Sequence, residues 1–185
     1  AVITGGIDTV ASMPVYGFDA LEVLSRDKTN PFSKNRSGIS IGEAGALFLL
    51  EKNKDGIKIL GIGETSDAYH AATPDPDGIQ AAAAIELALN DAGLNAEDVD
   101  YINLHGTGTI SNDIMEANAV YKIFGGSTPA SSTKPLTGHC LGAAASIETY
   151  ICYEILKGVR KMPVHLYDGE YDNNIPKINL VNEDT

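Results

Sequence analysis

Apolar and polar positions alternate along the chain in a way that predicts strands and helices in succession. Residues 1–6 read as a buried strand closed by Gly5 and Gly6, and the chain begins inside that strand. Residues 14–25 read as a helix, and a polar loop rich in Asn, Ser and Gly follows over 27–42. Two β-runs, 46–51 and 57–63, are separated by a turn at 52–56, which predicts antiparallel neighbours. A loop over 67–78 is stiffened by Pro74 and Pro76. The next helix, 79–92, puts Ala82, Ile85, Leu89 and Ala92 on one face, with Gly93 ending it. Beyond it come a strand (99–104), a helix (113–124), a short strand (129–132), a helix (138–157) and two β-runs (162–167 and 177–181). This order predicts an α/β fold with a largely parallel sheet covered on both faces. Right-handed crossovers then gather strand ends and helix starts along one edge.

Composition narrows the picture. A chain of 185 residues, 43% hydrophobic and 21% charged, is long enough to bury a core and reads as a globular domain. Its net charge of −12 argues against nucleic acid and against anionic membrane surfaces as partners. Cys140 and Cys152 form neither a disulfide framework nor a metal set, and no two histidines lie within a helical turn of each other. The apolar run 44–50 is too short to cross a bilayer, so the expected setting is the cytoplasm.

The candidate chemistry gathers at two histidines. The run 101–104 stops at His105, and the small residues Gly106, Thr107, Gly108 and Thr109 follow. His139 opens the helical pattern of 138–157 and is also flanked by glycine and threonine. A single histidine of this kind is more often structural; a pair at element ends reads as a reaction site. Glu148 shares an apolar stripe with Leu141, Ala144, Cys152 and Ile155. A carboxylate there needs a partner, and Lys134 is the nearest in sequence; a position at the stripe's edge, open to solvent, is the alternative. Glu116 has capping-box spacing from Asp113, and a site role stands equally open. Cys140 adjoins His139, but helical neighbours point about 100° apart, so it makes a poor nucleophile. His70 either lines a channel or lies exposed on its loop, and His165 reads as a structural or surface residue. Neither a dinucleotide fingerprint nor a P-loop occurs.

The ordered set His105-Gly-Thr-Gly-Thr109, Asn112-Asp113-x-x-Glu116, Ser132-Thr-Lys134 and Thr137-Gly-His139 resembles the β-ketoacyl-acyl carrier protein synthases, condensing enzymes of the thiolase fold. Thr4-Gly-Gly6, Gly42-Glu43-Ala44-Gly45 and Ser66-Asp-Ala-Tyr-His70 extend the resemblance along essentially the whole chain. Asn103-Leu-His105, Lys134-Pro-Leu-Thr-Gly-His139 and His165-Leu-Tyr-Asp-Gly169 are similar to the branch associated with aryl polyene synthesis.

The resemblance implies a thiolase-like fold of which only part is present. Residues 1–56 correspond to the end of its first half and 57–185 to most of its second. It implies a decarboxylative Claisen condensation, in which malonyl carrier protein loses carbon dioxide and its carbanion attacks an acyl group held on a cysteine. His105 and His139 match the imidazoles that polarise the malonyl thioester oxygen. Lys134 matches the lysine that orients the second of them, and Glu148 matches its carboxylate partner. Glu116 matches an acidic residue that holds water or an ion. Thr107 and Thr109 match threonines that bind the phosphopantetheine arm, which arrives on the carrier protein, so no separate cofactor or metal is expected. The loop through Asp67 and His70 is expected near the acyl entrance.

The implied partners are an acyl carrier protein and a second ketosynthase chain, in a homodimer or heterodimer. The family's nucleophilic cysteine is expected upstream of Ala1, and its Gly-Phe-Gly-Gly loop near where Thr185 ends the chain. Ser37 stands where relatives often carry Asp in an Arg-Asp-Gly motif. These 185 residues alone are therefore expected not to condense, and to be poorly soluble through exposed strand edges. The competing reading is a non-catalytic partner of the chain-length-factor type; retention of His105, Lys134 and His139 argues against it. A thiolase proper fits less well, because its late reactive cysteine is not evident.

Overall fold

A computed structural model describes residues 1–52 and 55–185. Two strands open the described fold as an antiparallel ribbon. β1 (Val2–Asp8) pairs along its whole length with β2 (Ala44–Leu50), from Val2 opposite Leu50 to Asp8 opposite Ala44. Between them runs α1 (Ser12–Ala20), shorter than the helix expected over 14–25. It stops because the chain turns left-handed at Glu22, where φ is 55°.

A parallel sheet of three short strands, in the order β3 (Ile102–Asn103), β4 (Pro129–Ser131), β5 (Asn179–Leu180), forms the second layer. α2 (Ile79–Ala92) and α3 (Ile110–Phe124) pack on each other. α2 ends at Gly93, whose φ of 68° closes the last turn as its position in sequence predicts. The core lies between α3 and the parallel sheet: Leu104, Ala117, Val120, Ala130, Ile175 and Ile178 surround Phe32, which is fully buried. The expected α/β class forms; its described strands lie in two sheets, one an antiparallel pair and the other a parallel set of three.

Four expectations need correction. The run 57–63 is not a strand, and β2 takes β1 as its partner instead. No strand pairs with it among the described residues; a Cβ on Gly61 or Gly63 would collide with the carbonyl oxygens of Ala88 and Ala84, so this backbone lies directly against α2. The turn expected at 52–56 falls partly outside the described residues. The run 162–167 is also not a strand; among the described residues a backbone bond, His165 N–H to the Val181 carbonyl at 2.8 Å, ties it to the end of the sheet. The strand expected to be buried at the start is exposed, with Val2 at 64% and Ile3 at 73% of full accessibility. Finally, the helix expected over 138–157 begins only at Ala144. α4 (Lys134–Thr137) precedes that span, a 3-10 turn lies at Leu141–Ala143, and α5 (Ala144–Leu156) is the long helix. Positive φ values of 72° at Gly138 and 45° at Leu141 break the helical path.

Candidate active site

Parallel pairing of β3 with β4 places the two sequence motifs side by side. Asn103 lies opposite Ser131, and the Leu104 N–H donates to the Ser131 carbonyl at 2.9 Å. His105 leaves the end of β3 at that point. Its amide and that of Gly106 both donate to the Glu116 carboxylate, at 2.6 and 2.7 Å. Glu116, on α3, is therefore a clamp on the backbone that carries His105. Burial pushes its carboxyl up to about 7, opposed by the same backbone donors.

The start of α3 is capped by Thr109, whose hydroxyl accepts from the Asn112 amide at 3.4 Å. The Asp113–Glu116 spacing is thus not a capping box. Asp113 is fully buried and accepts the Phe32 amide at 2.8 Å and the Gly108 amide at 3.2 Å. Arg36 lies 3.8 Å from it and 2.7 Å from Asp172, so a buried guanidinium joins three segments of the chain. Desolvation holds the Asp113 carboxyl above the ordinary carboxylate value despite these donors. The sequence reading passed over Arg36, Phe32 and Asp172. The available signal was Asp113 itself, one turn before Ala117 and two before Val120 on the buried side of α3. Ser37, beside Arg36, shares a hydrogen bond of 3.0 Å with the Ser25 hydroxyl.

Lys134 opens α4 and is 1% exposed. Its ammonium lies 2.5 Å from Glu148 Oε1, which decides between the two readings that the apolar stripe left open in favour of the pair. It also lies 3.3 Å from His105 Nδ1. The lysine was expected to orient His139; the histidine it touches is His105. β3 and β4 are adjacent, so residues just beyond each strand meet, whereas His139 lies past a turn.

Backbone bonds fix His139 on both sides. Its N–H donates to the Ser40 carbonyl at 2.7 Å, and its carbonyl accepts from Gly42 at 3.1 Å. The two imidazoles meet edge to face, with ring centroids 5.1 Å apart and planes at 87°. His139 Nδ1 accepts the Leu141 amide at 3.2 Å. Each ring thus has a donor at Nδ1, Lys134 for one and a backbone N–H for the other, which leaves each proton on Nε2. Desolvation, then the Lys134 charge, pulls His139 down to about 4. The same two causes, followed by His139, pull His105 down to about 3. His105 keeps an exposed edge. Both rings are neutral at pH 7, and each presents one N–H.

Thr107 and Thr109 share a hydroxyl–hydroxyl bond of 3.0 Å, and the Thr107 carbonyl accepts from Thr29 at 2.7 Å. Thr109 reaches a cavity of about 450 Å³ that Ile110, Ile114 and Val23 also line. The 67–78 loop adds Tyr69, Thr73, Pro74 and Pro76 to its wall. His70 is exposed on that loop, accepts the Ala72 amide at 3.1 Å, and is not part of the lining. The Cys140 thiol is buried against the carbonyls of Thr137 and Gly138, and burial raises its pKa. A protonated thiol facing carbonyls is no nucleophile.

His165 is structural. Its Nδ1 accepts the Ser132 amide and its Nε2–H donates to the Pro31 carbonyl, both at 3.1 Å. Burial lowers it to about 4. The unfolded chain therefore takes up a proton near pH 6.5 that the folded one resists until about pH 4. Stability contributed by neutral His165 is complete above pH 6.5 and falls as the pH drops toward 4, by on the order of 3 kcal/mol in all. Urea titrations of the full-length protein at pH 7 and 4.5 should show a smaller acid loss for His165→Gln than for the unsubstituted chain. Equal losses would refute this assignment.

Comparison with known proteins places this geometry. Residues 1–56 match the N-terminal domain of the beta-ketoacyl synthase family, and residues 57–164 match its C-terminal domain. Nodulation protein E of Rhizobium sp. (strain N33) is 39% identical over 163 residues, which cover 82% of this chain and 40% of that protein. The 3-oxoacyl-[acyl-carrier-protein] synthase 2 of Staphylococcus aureus (strain COL) is 34% identical over 180 residues, covering 88% of this chain and 44% of its own length. This chain therefore spans less than half the length of these relatives. Among solved structures, a chain of the Xenorhabdus doucetiae ketosynthase (ApeO) in complex with its chain length factor (ApeC) superposes with a TM-score of 0.94 at 46% identity. That superposition covers 98% of this chain and 46% of the other. With a ketosynthase fold and both domain models matched in sequence order, the chain belongs to the beta-ketoacyl synthase family.

Proposed function

We propose that this chain supplies the carbanion-forming side of a 3-oxoacyl-acyl carrier protein synthase, an acyltransferase of fatty acid or polyketide chain elongation. The observation that carries this reading is the pair of neutral imidazoles, each with Nδ1 occupied and an Nε2–H to give. In the reaction, the C2–carboxylate bond of a malonyl thioester breaks and carbon dioxide leaves. The electron pair is delocalised onto the thioester oxygen, where His105 and His139 donate their N–H bonds to the growing charge. The C2 carbanion then attacks the carbonyl carbon of the cysteine-bound acyl group, and the cysteine departs as thiolate. Lys134, neutralised by Glu148, keeps His105 in the donating tautomer.

Glu116 fixes the backbone on which His105 sits. Thr107 and Thr109 bind the phosphopantetheine arm brought by an acyl carrier protein. The nucleophilic cysteine lies outside these 185 residues, which alone do not condense. The working assembly is a pair of ketosynthase-type chains.

Intact-mass analysis of the full-length protein after exposure to an acyl-carrier-protein thioester, with release of carbon dioxide from malonyl carrier protein, tests the reading. An acyl adduct together with carbon dioxide release is expected. Neither signal, from a protein that co-purifies with a second ketosynthase-type chain, would replace the reading with a non-catalytic partner of the chain-length-factor type.

A further inference from the structure

The end of β1 reaches His139 through one carboxylate. The Gly142 N–H donates to Asp8 Oδ2 at 2.9 Å. The residue before it, Leu141, has φ of 45°, a left-handed conformation that a leucine keeps only when its neighbours hold it. In that conformation its N–H reaches His139 Nδ1 at 3.2 Å. A second contact locks the same turn onto β1: a Cβ on Gly6 would stand 2.7 Å from the Gly142 carbonyl oxygen, so the two backbones touch. Ser40 and Gly42 already fix the main chain of His139, which leaves the Leu141 amide as the group that decides which ring nitrogen carries the proton.

We propose that Asp8 is a positioning residue for His139. Its carboxylate holds the Gly142 amide, and with it the left-handed turn that presents the Leu141 N–H to the imidazole. Asp8 touches no substrate; it acts through the turn. Loss of its oxygen frees Leu141 to relax toward negative φ, withdraws the donor from Nδ1, and lets the ring exchange between its two neutral tautomers. Only the tautomer protonated on Nε2 serves the enolate oxygen. The inference rests on the role proposed for His139, but its central readout, the tautomer, does not depend on activity.

The experiment uses the full-length protein, with Asp8→Ala and Asp8→Asn compared against the unsubstituted chain. Long-range ¹H–¹⁵N correlation spectra of histidine-labelled protein report the His139 tautomer, and carbon dioxide release from malonyl carrier protein reports turnover. The unsubstituted protein is expected to show the Nε2–H form alone. Asp8→Ala is expected to show a mixture of tautomers and about a tenfold lower kcat with KM little changed, the size of one lost hydrogen bond. Asp8→Asn, whose amide oxygen still accepts from Gly142, is expected to recover the single tautomer and most of the rate. A pure Nε2–H form and an undiminished kcat in Asp8→Ala would overturn the proposal. Should Asp8→Ala fail to fold, Asp8→Asn decides: a single tautomer upholds the proposal, and a mixture overturns it. No carbon dioxide release from the unsubstituted protein, alongside the expected tautomers, would sink the condensing reading and leave the Asp8 linkage standing.

Discussion

Replacing His139 with alanine in the full-length protein should lower kcat for malonyl-carrier-protein decarboxylation by about 10²–10³-fold, and His105→Ala should do the same. The size follows from the kind of bond lost. In the role proposed for it, each imidazole offers one N–H to an oxygen whose charge grows as the carboxylate leaves, so its contribution would be larger in the transition state than in the bound substrate. KM should change far less than kcat. Loading of the cysteine with an acyl group needs no enolate and should continue in both variants. The double variant should fall well short of the product of the two losses, because the rings meet at 5.1 Å and, in the proposed role, would serve one atom. Single variants within about threefold of the unsubstituted rate would place the decarboxylating donors elsewhere.

A second large effect is expected from Glu148→Ala, this time on stability. Lys134 is 1% exposed, and Glu148 is its only ion-pair partner among the described residues. Removing the carboxylate strands an ammonium in the interior, which costs about 3–5 kcal/mol in comparable buried pairs. Lys134→Met in the same background takes away the stranded charge and should restore much of the loss, while leaving His105 without its donor at Nδ1. The double variant would then be folded but slow. Denaturant titration separates the two quantities, and a Glu148→Ala protein as stable as its parent would mean that water reaches Lys134.

Both halves of this site were legible in the sequence, but not the way they meet. The helical spacing of Ala82, Ile85, Leu89 and Ala92, stopped by Gly93, gives α2 its bounds, because amphipathic period and C-cap are local signals. The Lys134–Glu148 pair was legible only in part, since a carboxylate on an apolar stripe either finds a partner or reaches solvent at the stripe's edge, and the family resemblance was what favoured the pair. Which histidine Lys134 serves was not. Proximity in sequence favours His139, and only the registry of β3 against β4 brings Lys134 to His105. Residues 57–63 have the apolar character of a strand, yet a strand is completed by a hydrogen-bonded neighbour, and none pairs with that segment among the described residues; what Gly61 and Gly63 meet is α2. The turn at Leu141 was invisible because leucine gives no hint of a positive φ. Asp113 looked like a cap because spacing along a helix does not distinguish a carboxylate facing solvent from one that reaches a distant amide.

The polar loop of 27–42 has a consequence for how this molecule comes into being. Thr29 bonds to Thr107 across 78 residues and the Phe32 amide to Asp113 across 81, while Ser40 and Gly42 flank His139. The two histidines are thus brought to their places by a segment made long before either of them. Closing loops of that size costs chain entropy that is recovered only when the last partner arrives. During synthesis the earlier segment must wait, its hydrogen-bonding groups in water, until His139 has been made. The histidine pair is therefore expected to be a late event of folding: helices such as α2 form from local contacts, but the two rings face each other only once chain segments a hundred residues apart have docked.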